Sequence, residues 1–427
     1  MKRFQPSVYA EKQSKTGNFA KEDSVLYRWT GTHWATLTND QADEIAYAWL
    51  KARDRNHASA EHARRCSRAL MLDAPRLAER GSELCIPCLN GYVTLVDDKP
   101  VLIEPDKTRG LRHVLNCHFE VGETRAPRFE RFLTEVLPDA AVRERVQEYA
   151  GYTLTGDARH QRTMMFYGGG ANGKSLLSNI IQALHGDGVG AAWLENVEGA
   201  ALSGVIGKSL IVVDEMPQAR LNEKRLKSLF GGERIPIDIK YATPISTRLE
   251  AKWMICGNYL PVVVDDSDGF WRRWDIVPFN VTIDEANRDT TLADAITQNE
   301  LSAVLNWALA GLTRLQRRGR FDPIRPAAIE AMTEEAKLQS CSIRAWKNEN
   351  DITVSVDAHT PKDEIFRHYR HWCERNLLRP VDSMQFWKRL GRLLPYETSR
   401  PRVAGGKQER RVGVTLPRAA SWVPKGA

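Results

Sequence analysis

The residues best suited to chemistry lie at Gly168 to Ser175, GGGANGKS. Gly168, four residues, then Gly173-Lys174-Ser175 match the phosphate-binding loop. In that loop bare backbone N–H groups wrap a polyphosphate, the lysine reaches its β and γ phosphates, and the serine hydroxyl holds magnesium. Glycine is needed where a side chain would block the approach. ATP and Mg are the expected ligands, with Gly168, Gly169, Gly170, Ala171, Asn172, Gly173, Lys174, Ser175 and Leu176 around the nucleotide. A glycine-rich turn without a ligand is the bland alternative, and the flanks argue against it. Thr163 to Tyr167 reads as a buried strand and Lys174 to Leu184 has apolar residues at helical spacing, so the phosphates would sit at a helix N-terminus.

About forty residues downstream, KSLIVVDEMP is an apolar run that delivers Asp214 and Glu215 at its end, as strands of a parallel sheet deliver residues to a ligand crevice. Such a run alone is common, but this far past a phosphate loop it supplies the acidic element that phosphoryl transfer needs. Asp214 is expected on the magnesium and Glu215 as the base that orients the attacking water. AKWMICGNYLP is a further buried strand and sets Asn258 beside the acids. DDSDGFWRRWDIVPF then places Arg272 and Arg273 between large aromatic residues, an arrangement suited to an arginine finger acting on a neighbour's ATP. The acids Asp265, Asp266 and Asp268 lack the spacing and terminal glutamate of a calcium loop.

Between the acids and Asn258 lie a helix, LNEKRLKSLF, and the alternating run RIPIDIKYATPISTRLE, which reads as a β-hairpin. Its tip presents Lys240 and Tyr241, a cation and a ring suited to gripping single-stranded nucleic acid by phosphate contact and stacking. A solvated hairpin tip is the alternative.

Other elements must hold these residues in place. SVLYRWTGTHWATL reads as a small aromatic hairpin, residues 40 to 80 as helical, and LCIPCLNGYVTLVDDKPVLIE as strands across an Asn-Gly and an Asp-Asp-Lys-Pro turn. Two helices, PRFERFLTEVLP and AAVRERVQEYAGYTL, precede the nucleotide strand. RRGRFDPIRP, residues 317 to 326, reads as a linker. The 427 residues, 42% apolar, suffice for two or three domains. With neither a long apolar run nor an apolar N-terminal core, a cytoplasmic protein with no membrane partner is expected. Seven cysteines, an odd number, argue for reduced thiols rather than a disulfide framework. Cys85, Cys88, Cys117 and His118 could in principle hold zinc, but usual finger spacings are absent and a strand entering a turn is the simpler reading.

The order GGGANGKS, IVVDE, the Lys240 hairpin, WMICGN and FWRRWDIVPF resembles the superfamily 3 helicases. More narrowly it resembles the C-terminal helicase half of phage and plasmid primases of the satellite-phage type, related to the poxvirus primase-helicase. The resemblance covers residues 85 to 315. It implies an α/β, AAA+-like P-loop ATPase core with a parallel central sheet. It further implies a hexameric ring, ATP at subunit interfaces, an arginine from 272 or 273 acting in trans, and the hairpin lining a DNA channel. Family hairpins usually begin Gly-Gly-Asp, whereas here the residues are Gly231-Gly232-Glu233. Longer relatives carry a primase domain ahead of the helicase. No acidic D-x-D pair followed by histidine stands in the about 80 residues ahead of the matching region, so no primer synthesis is expected from this chain, and a separate primase is a possible partner.

The basic surplus is concentrated at the C-terminus, with 15 Lys and Arg against 6 Asp and Glu from 361 to 427, in a chain of net charge +7. A helix with Thr360 as cap and Pro361 in its first turn, a second with Ser383 as cap, then strands around Ala404-Gly405-Gly406, read as a winged helix on duplex DNA. Gln385, Lys388, Arg389 and Arg392 would face the groove, and Arg400, Arg402, Lys407, Arg410 and Arg411 the phosphates. A solvated basic face is the alternative. The expected division is an N-terminal α+β region over 1–125, the ATPase over 126–320 and the winged helix over 321–427. The function expected is an ATP-dependent replication helicase of a mobile element, and its rival an ATP-switched origin-binding initiator or loader.

Overall fold

In the computed structural model, which describes residues 4–22, 24–53, 55–81, 83–238, 244–263, 267–355, 358–402 and 408–416, the aromatic hairpin forms inside a larger unit. A helix the sequence did not announce, α1 (Pro6–Lys15), leads into β1 (Phe19–Glu22), which pairs antiparallel with β2 (Val25–Trp29). That strand pairs in turn with β3 (Trp34–Leu37). The helical spacing after residue 40 gives α2 (Asn39–Arg53) and α3 (Ala60–Asp73), the latter capped by Ser59 accepting from the His62 N–H. Tyr9, Leu26, Ala46, Leu50, Cys66 and Leu70 form their shared core.

The next strands, β4 (Ile86–Cys88), β5 (Gly91–Val96) and β6 (Lys99–Ile103), form an antiparallel meander. The Asn90 side chain exchanges two hydrogen bonds with the Phe119 backbone, both 2.9 Å, and so ties the turn to the strand's return. Cys88 and Cys117 are buried in the main core, while Cys85 is buried against Tyr92 and Leu111. Among the described residues no group of three or more His, Cys, Asp or Glu is placed to hold a metal. Burial pushes the Cys88 and Cys117 thiols up to about 12, which disfavours the thiolate a metal needs.

Helices α4 (Pro127–Val136) and α5 (Ala140–Thr153) follow. The central sheet then opens with β7 (Thr163–Tyr167), and α6 (Lys174–His185), β8 (Val189–Ala191), β9 (Leu210–Val213) and α7 (Glu223–Phe230) come after it. The alternating run is the expected hairpin, β10 (Arg234–Ile237) against β11 (Ile245–Arg248), with Ile237 opposite Ile245. Its tip, with Lys240 and Tyr241, lies outside the described residues. β12 (Lys252–Gly257), the short α8 (Asp268–Trp271) and β13 (Trp274–Pro278) lead to α9 (Leu292–Asn299) and α10 (Leu301–Arg318).

Five strands form one parallel sheet in the order β13-β7-β12-β9-β8. Every residue of β9, β12 and β13 is buried, the near-continuous apolar pattern of a sheet covered on both faces. Two charged residues interrupt it: Lys252 at the start of β12, whose ammonium donates to the Thr155 and Glu250 carbonyls, and Asp275 in β13, wholly buried under the guanidiniums of Arg145 at 2.9 Å, Arg325 at 3.1 Å and Arg162 at 3.4 Å. Burial alone would raise the Asp275 carboxyl pKa, but the three arginines outweigh that and hold it below the usual range. The 317–326 stretch is therefore no free linker. Phe321 is buried in the main core, Arg318 bonds Glu148 at 2.6 Å, and Arg325 reaches Asp275. Its basic, proline-punctuated composition is used for packing and ion pairing instead of solvation.

The chain divides into two units, residues 1–259 with 272–332, and 260–271 with 333–427. α11 (Ala327–Ser340) carries the chain into the second, which continues with α12 (Ser342–Glu349), β14 (Thr360–Pro361), α13 (Lys362–Arg375), α14 (Ser383–Leu393), β15 (Thr398–Ser399) and β16 (Arg411–Val412). β16 lies between β14 and β15, antiparallel to both, and Trp346, Ile365, Tyr369, Phe386, Leu390 and Val412 build the core. Two caps differ from expectation. Thr360 does not cap α13, because its hydroxyl donates to the Val414 carbonyl at 2.6 Å and Pro361 takes the N-cap position. α14 is capped by Asp382, whose carboxylate accepts from the Gln385 N–H at 2.9 Å, and Ser383 is the first helical residue. No helix among the described residues is long and apolar enough to cross a membrane.

Candidate nucleotide site

The strand registers bring the chemistry together. Tyr167 of β7 pairs with Gly257 of β12, and Ile255 of β12 with Val213 of β9, so Gly168, Asn258 and the Asp214-Glu215 pair leave the sheet at one carboxyl edge. There an open cavity of about 580 Å³ is lined by Gly169 through Leu176, by Asp214 and Glu215, and by Asn258. Gly168 sets the turn behind it. Its φ is 153°, and a Cβ there would stand 2.5 Å from the Phe279 carbonyl oxygen. Gly173, at φ 86°, would drive a Cβ into Val136 at 2.6 Å. At Gly169 and Gly170 a Cβ would meet nothing within 4 Å, so these glycines leave open space on the cavity side. That room, with a lysine and two acids on its walls, fits a polyphosphate and its metal.

Lys174 is buried, and its ammonium donates to the carbonyls of Gly168 at 2.7 Å and Gly169 at 2.5 Å and to the Asn172 side chain at 3.0 Å. Burial lowers its pKa from the ordinary lysine value, with Cys256 opposing. Asn172 in turn donates to Gly169 and to Phe279, at 2.8 and 3.1 Å. The loop is thus held through its own lysine and asparagine, and Ala171 takes a left-handed φ of 58° within it.

Residues the sequence reading did not assign complete the walls. α4 brings Arg131, Phe132 and Glu135 onto the cavity, and the segment before α9 brings Ile283, Arg288, Asp289 and Thr290. α4 is held there by its buried stripe of Phe129, Phe132, Leu133 and Val136, and by Glu300, whose carboxylate accepts from the N–H groups of Arg128 and Phe129 at 3.2 and 3.0 Å. The amphipathic spacing announced the helix, but nothing local said that its Arg131 turn would face the phosphate loop.

Arg272 and Arg273 do not line this cavity. Arg272 is exposed and Arg273 buried, and both donate to the side-chain oxygen of Gln161, at 3.2 and 2.7 Å. Burial lowers the Arg273 pKa from the usual guanidinium value, Arg272 adds to that, and Glu233 opposes it.

In the second unit, Lys388 and Arg392 are exposed on α14 on the side away from the buried Phe386 and Leu390, and Gln385 and Arg389 are half-buried beside that stripe. Arg400, Arg402 and Arg410 are exposed, and Arg411 pairs with Glu409 at 2.7 Å. Lys407 and the Ala404-Gly405-Gly406 turn lie outside the described residues.

Comparison with known proteins adds to this geometry. A family model described as "Family of unknown function (DUF5906)" matches residues 166–273, the stretch from the end of β7 through Arg273. A protein of Acanthamoeba polyphaga mimivirus named "Putative helicase L207/L206" is 28% identical over 159 residues, 35% of this chain and 16% of that protein, so the chain spans a small part of that relative's length. Two solved structures of the NrS-1 C-terminal region share the fold. The apo structure of residues 305–718 has a TM-score of 0.56 at 12% identity, covering 97% of this chain and 100% of that one. The A-form apo structure has a TM-score of 0.53 at 14% identity, covering 96% and 100%. The α/β fold with its parallel five-stranded sheet is compatible with a P-loop core.

Proposed function

We propose that this chain is an ATP-dependent DNA helicase from the replication apparatus of a phage, prophage or plasmid-type element, working as a hexameric ring on single-stranded DNA. The observation that carries the reading is the convergence of Lys174, Ser175, Asp214, Glu215 and Asn258 on one cavity at the carboxyl edge of a parallel sheet. The strand order supports an AAA+-like core, since β12 stands between the loop strand β7 and the acid strand β9 and puts Asn258 between loop and acids. Backbone N–H groups of residues 169 to 175 and the Lys174 ammonium would hold the phosphates. Ser175 and Asp214 would supply the oxygens for magnesium, which would neutralise phosphate charge when bound. Glu215 orients and deprotonates the attacking water, and Asn258 senses the γ-phosphate.

Glu215→Gln is expected to bind ATP and fail to turn it over, because the amide keeps the shape but cannot take the water's proton. Equilibrium binding of a fluorescent ATP analogue beside a phosphate-release assay checks this; loss of binding would make Glu215 a structural residue. The helicase reading is tested with forked DNA. ATP-dependent strand separation is expected, and DNA-stimulated hydrolysis without separation would favour the origin-binding initiator or loader.

The second unit serves, in this reading, as a winged helix. The order α12-β14-α13-α14-β15-β16 with β16 central supports it, with α14 as the helix that docks on a duplex. Removing residues 361–427 would cut through a core that begins at Cys341, so substitution is the cleaner test. The triple change Lys388→Gln/Arg389→Gln/Arg392→Gln should weaken duplex binding and lower its salt slope by about one for each phosphate deprived of its cation. An unchanged slope in a salt titration would assign this basic face to something other than DNA.

A further inference from the structure

We infer that Gln161 is the residue that positions the arginine pair, the structure placing one side-chain oxygen within hydrogen-bond reach of both guanidiniums. This rests on the reading of Arg272 or Arg273 as the group that completes a neighbouring subunit's ATP site.

The backbone sets up the arrangement. β7 and β13 pair in parallel with Thr163 opposite Trp274, and the Thr163 N–H donates to the Arg273 carbonyl at 2.7 Å. The residues just ahead of each strand therefore run side by side, Gln161-Arg162 beside Arg272-Arg273. Gln161 is fixed on both sides. One residue earlier, His160 stands edge-on to Tyr152 and Phe321, and one residue later Arg162 pairs with buried Asp275. Between these anchors Gln161 takes φ 50°, a left-handed conformation uncommon for a side chain of this kind, and its N–H donates to the Ala158 carbonyl at 2.9 Å. A strained residue persists where its surroundings over-determine it. The outcome is that Oε1 accepts from Arg273 at 2.7 Å and from Arg272 at 3.2 Å. The amide nitrogen faces Gly231 at the root of the β10–β11 hairpin, where a Cβ would stand 3.7 Å from it. An acceptor shared by two cations draws their planes together and fixes which edges project.

Gln161 is thus a positioning residue with no contact to the nucleotide cavity, and its removal should cost kcat and spare the KM for ATP. A displacement of about 1 Å in a catalytic group can cost about 10²-fold, so a fall of that order is expected in the DNA-stimulated kcat of Gln161→Ala. Gln161→Gly separates side chain from backbone. Glycine accepts the left-handed φ without strain, so the variant should stay folded, unfolding no lower than the strained alanine variant, and yet lose kcat as the alanine variant does. Gln161→Glu keeps an acceptor for both guanidiniums and should recover most of the turnover.

The measurements are steady-state kcat and KM of the full chain with DNA, with thermal unfolding of each variant and Arg272→Ala/Arg273→Ala run alongside. If the arginine double variant loses turnover while the alanine and glycine variants stay within about threefold of the parent, Gln161 does not position the pair and the finger reading stands. If the double variant itself keeps its turnover, the finger reading fails and this inference with it. If the glycine variant is folded and slow but the glutamate variant is equally slow, the shared acceptor is not what matters and the inference is overturned.

Discussion

Lys174→Ala leaves a folded chain that no longer hydrolyses ATP. In the proposed reading the ammonium meets the phosphates from within the loop, and removing one preorganised donor from a charge-stabilising site costs about 10²–10³-fold in rate. Its contacts sharpen the test. It donates to the Gly168 and Gly169 carbonyls and to Asn172, so the alanine variant loses loop bonds as well as charge. Lys174→Met, which keeps the stem and drops the charge, should be equally inactive. Both should unfold cooperatively near the parent's temperature, because the main core is built from residues such as Leu177, Ile180 and Phe166 that neither change touches. Turnover of either variant within about threefold of the parent would remove the phosphate-loop assignment.

The part of the site legible in the sequence is the part specified locally. A glycine-rich loop between a buried strand and a helix, and acids at the end of an apolar run, are written in consecutive residues, and the parallel pairing of β7, β9 and β12 brings them to one edge. Arg131, Arg288 and Gln161 were not legible, because each reaches its place through a contact remote in sequence. Arg131 depends on Glu300 holding the end of α4, Arg288 on the Ile283 N–H donating to the Ala171 carbonyl of the loop, and Gln161 on the pairing of β7 with β13. None carries a residue pattern of its own.

Composition misled where packing and solvation use the same residues. The 317–326 stretch has the arginines and prolines of a linker, yet Phe321 is buried and Arg325 serves Asp275. The carboxylate directly after Trp274, at the start of an apolar strand, was the missing signal, since an acid inside a sheet demands cations from somewhere. At α14 the error was one residue, because both Asp382 and Ser383 can cap and only the side-chain geometry distinguishes them. α1 went unread for a different reason. PSVYAEKQSK buries only Tyr9 and Ala10, too few apolar residues to show a helical period.

Arg272→Ala/Arg273→Ala, the last expected result, separates an interfacial ATPase from one complete in a single chain. If one of these arginines serves a neighbour, losing it removes charge stabilisation from the γ-phosphoryl transition state, an effect of roughly 10³ to 10⁵ in rate for arginine fingers. Neither lines the cavity of its own chain, where Arg131 and Arg288 stand instead, so ATP should still bind the double variant. Because Lys174 and the arginines of one subunit would then work in different sites, mixing the inactive double variant with inactive Lys174→Ala should restore hydrolysis at interfaces that join an intact loop to an intact finger. The mixture's ATP turnover is measured with DNA after subunit exchange, with assembly of both variants checked first by sizing. Two assembled and exchanged partners that stay as inactive together as apart would place the arginines in cis or in a structural role. The same result would leave Arg131 and Arg288 as the arginines placed to meet the phosphates, since they already line the cavity.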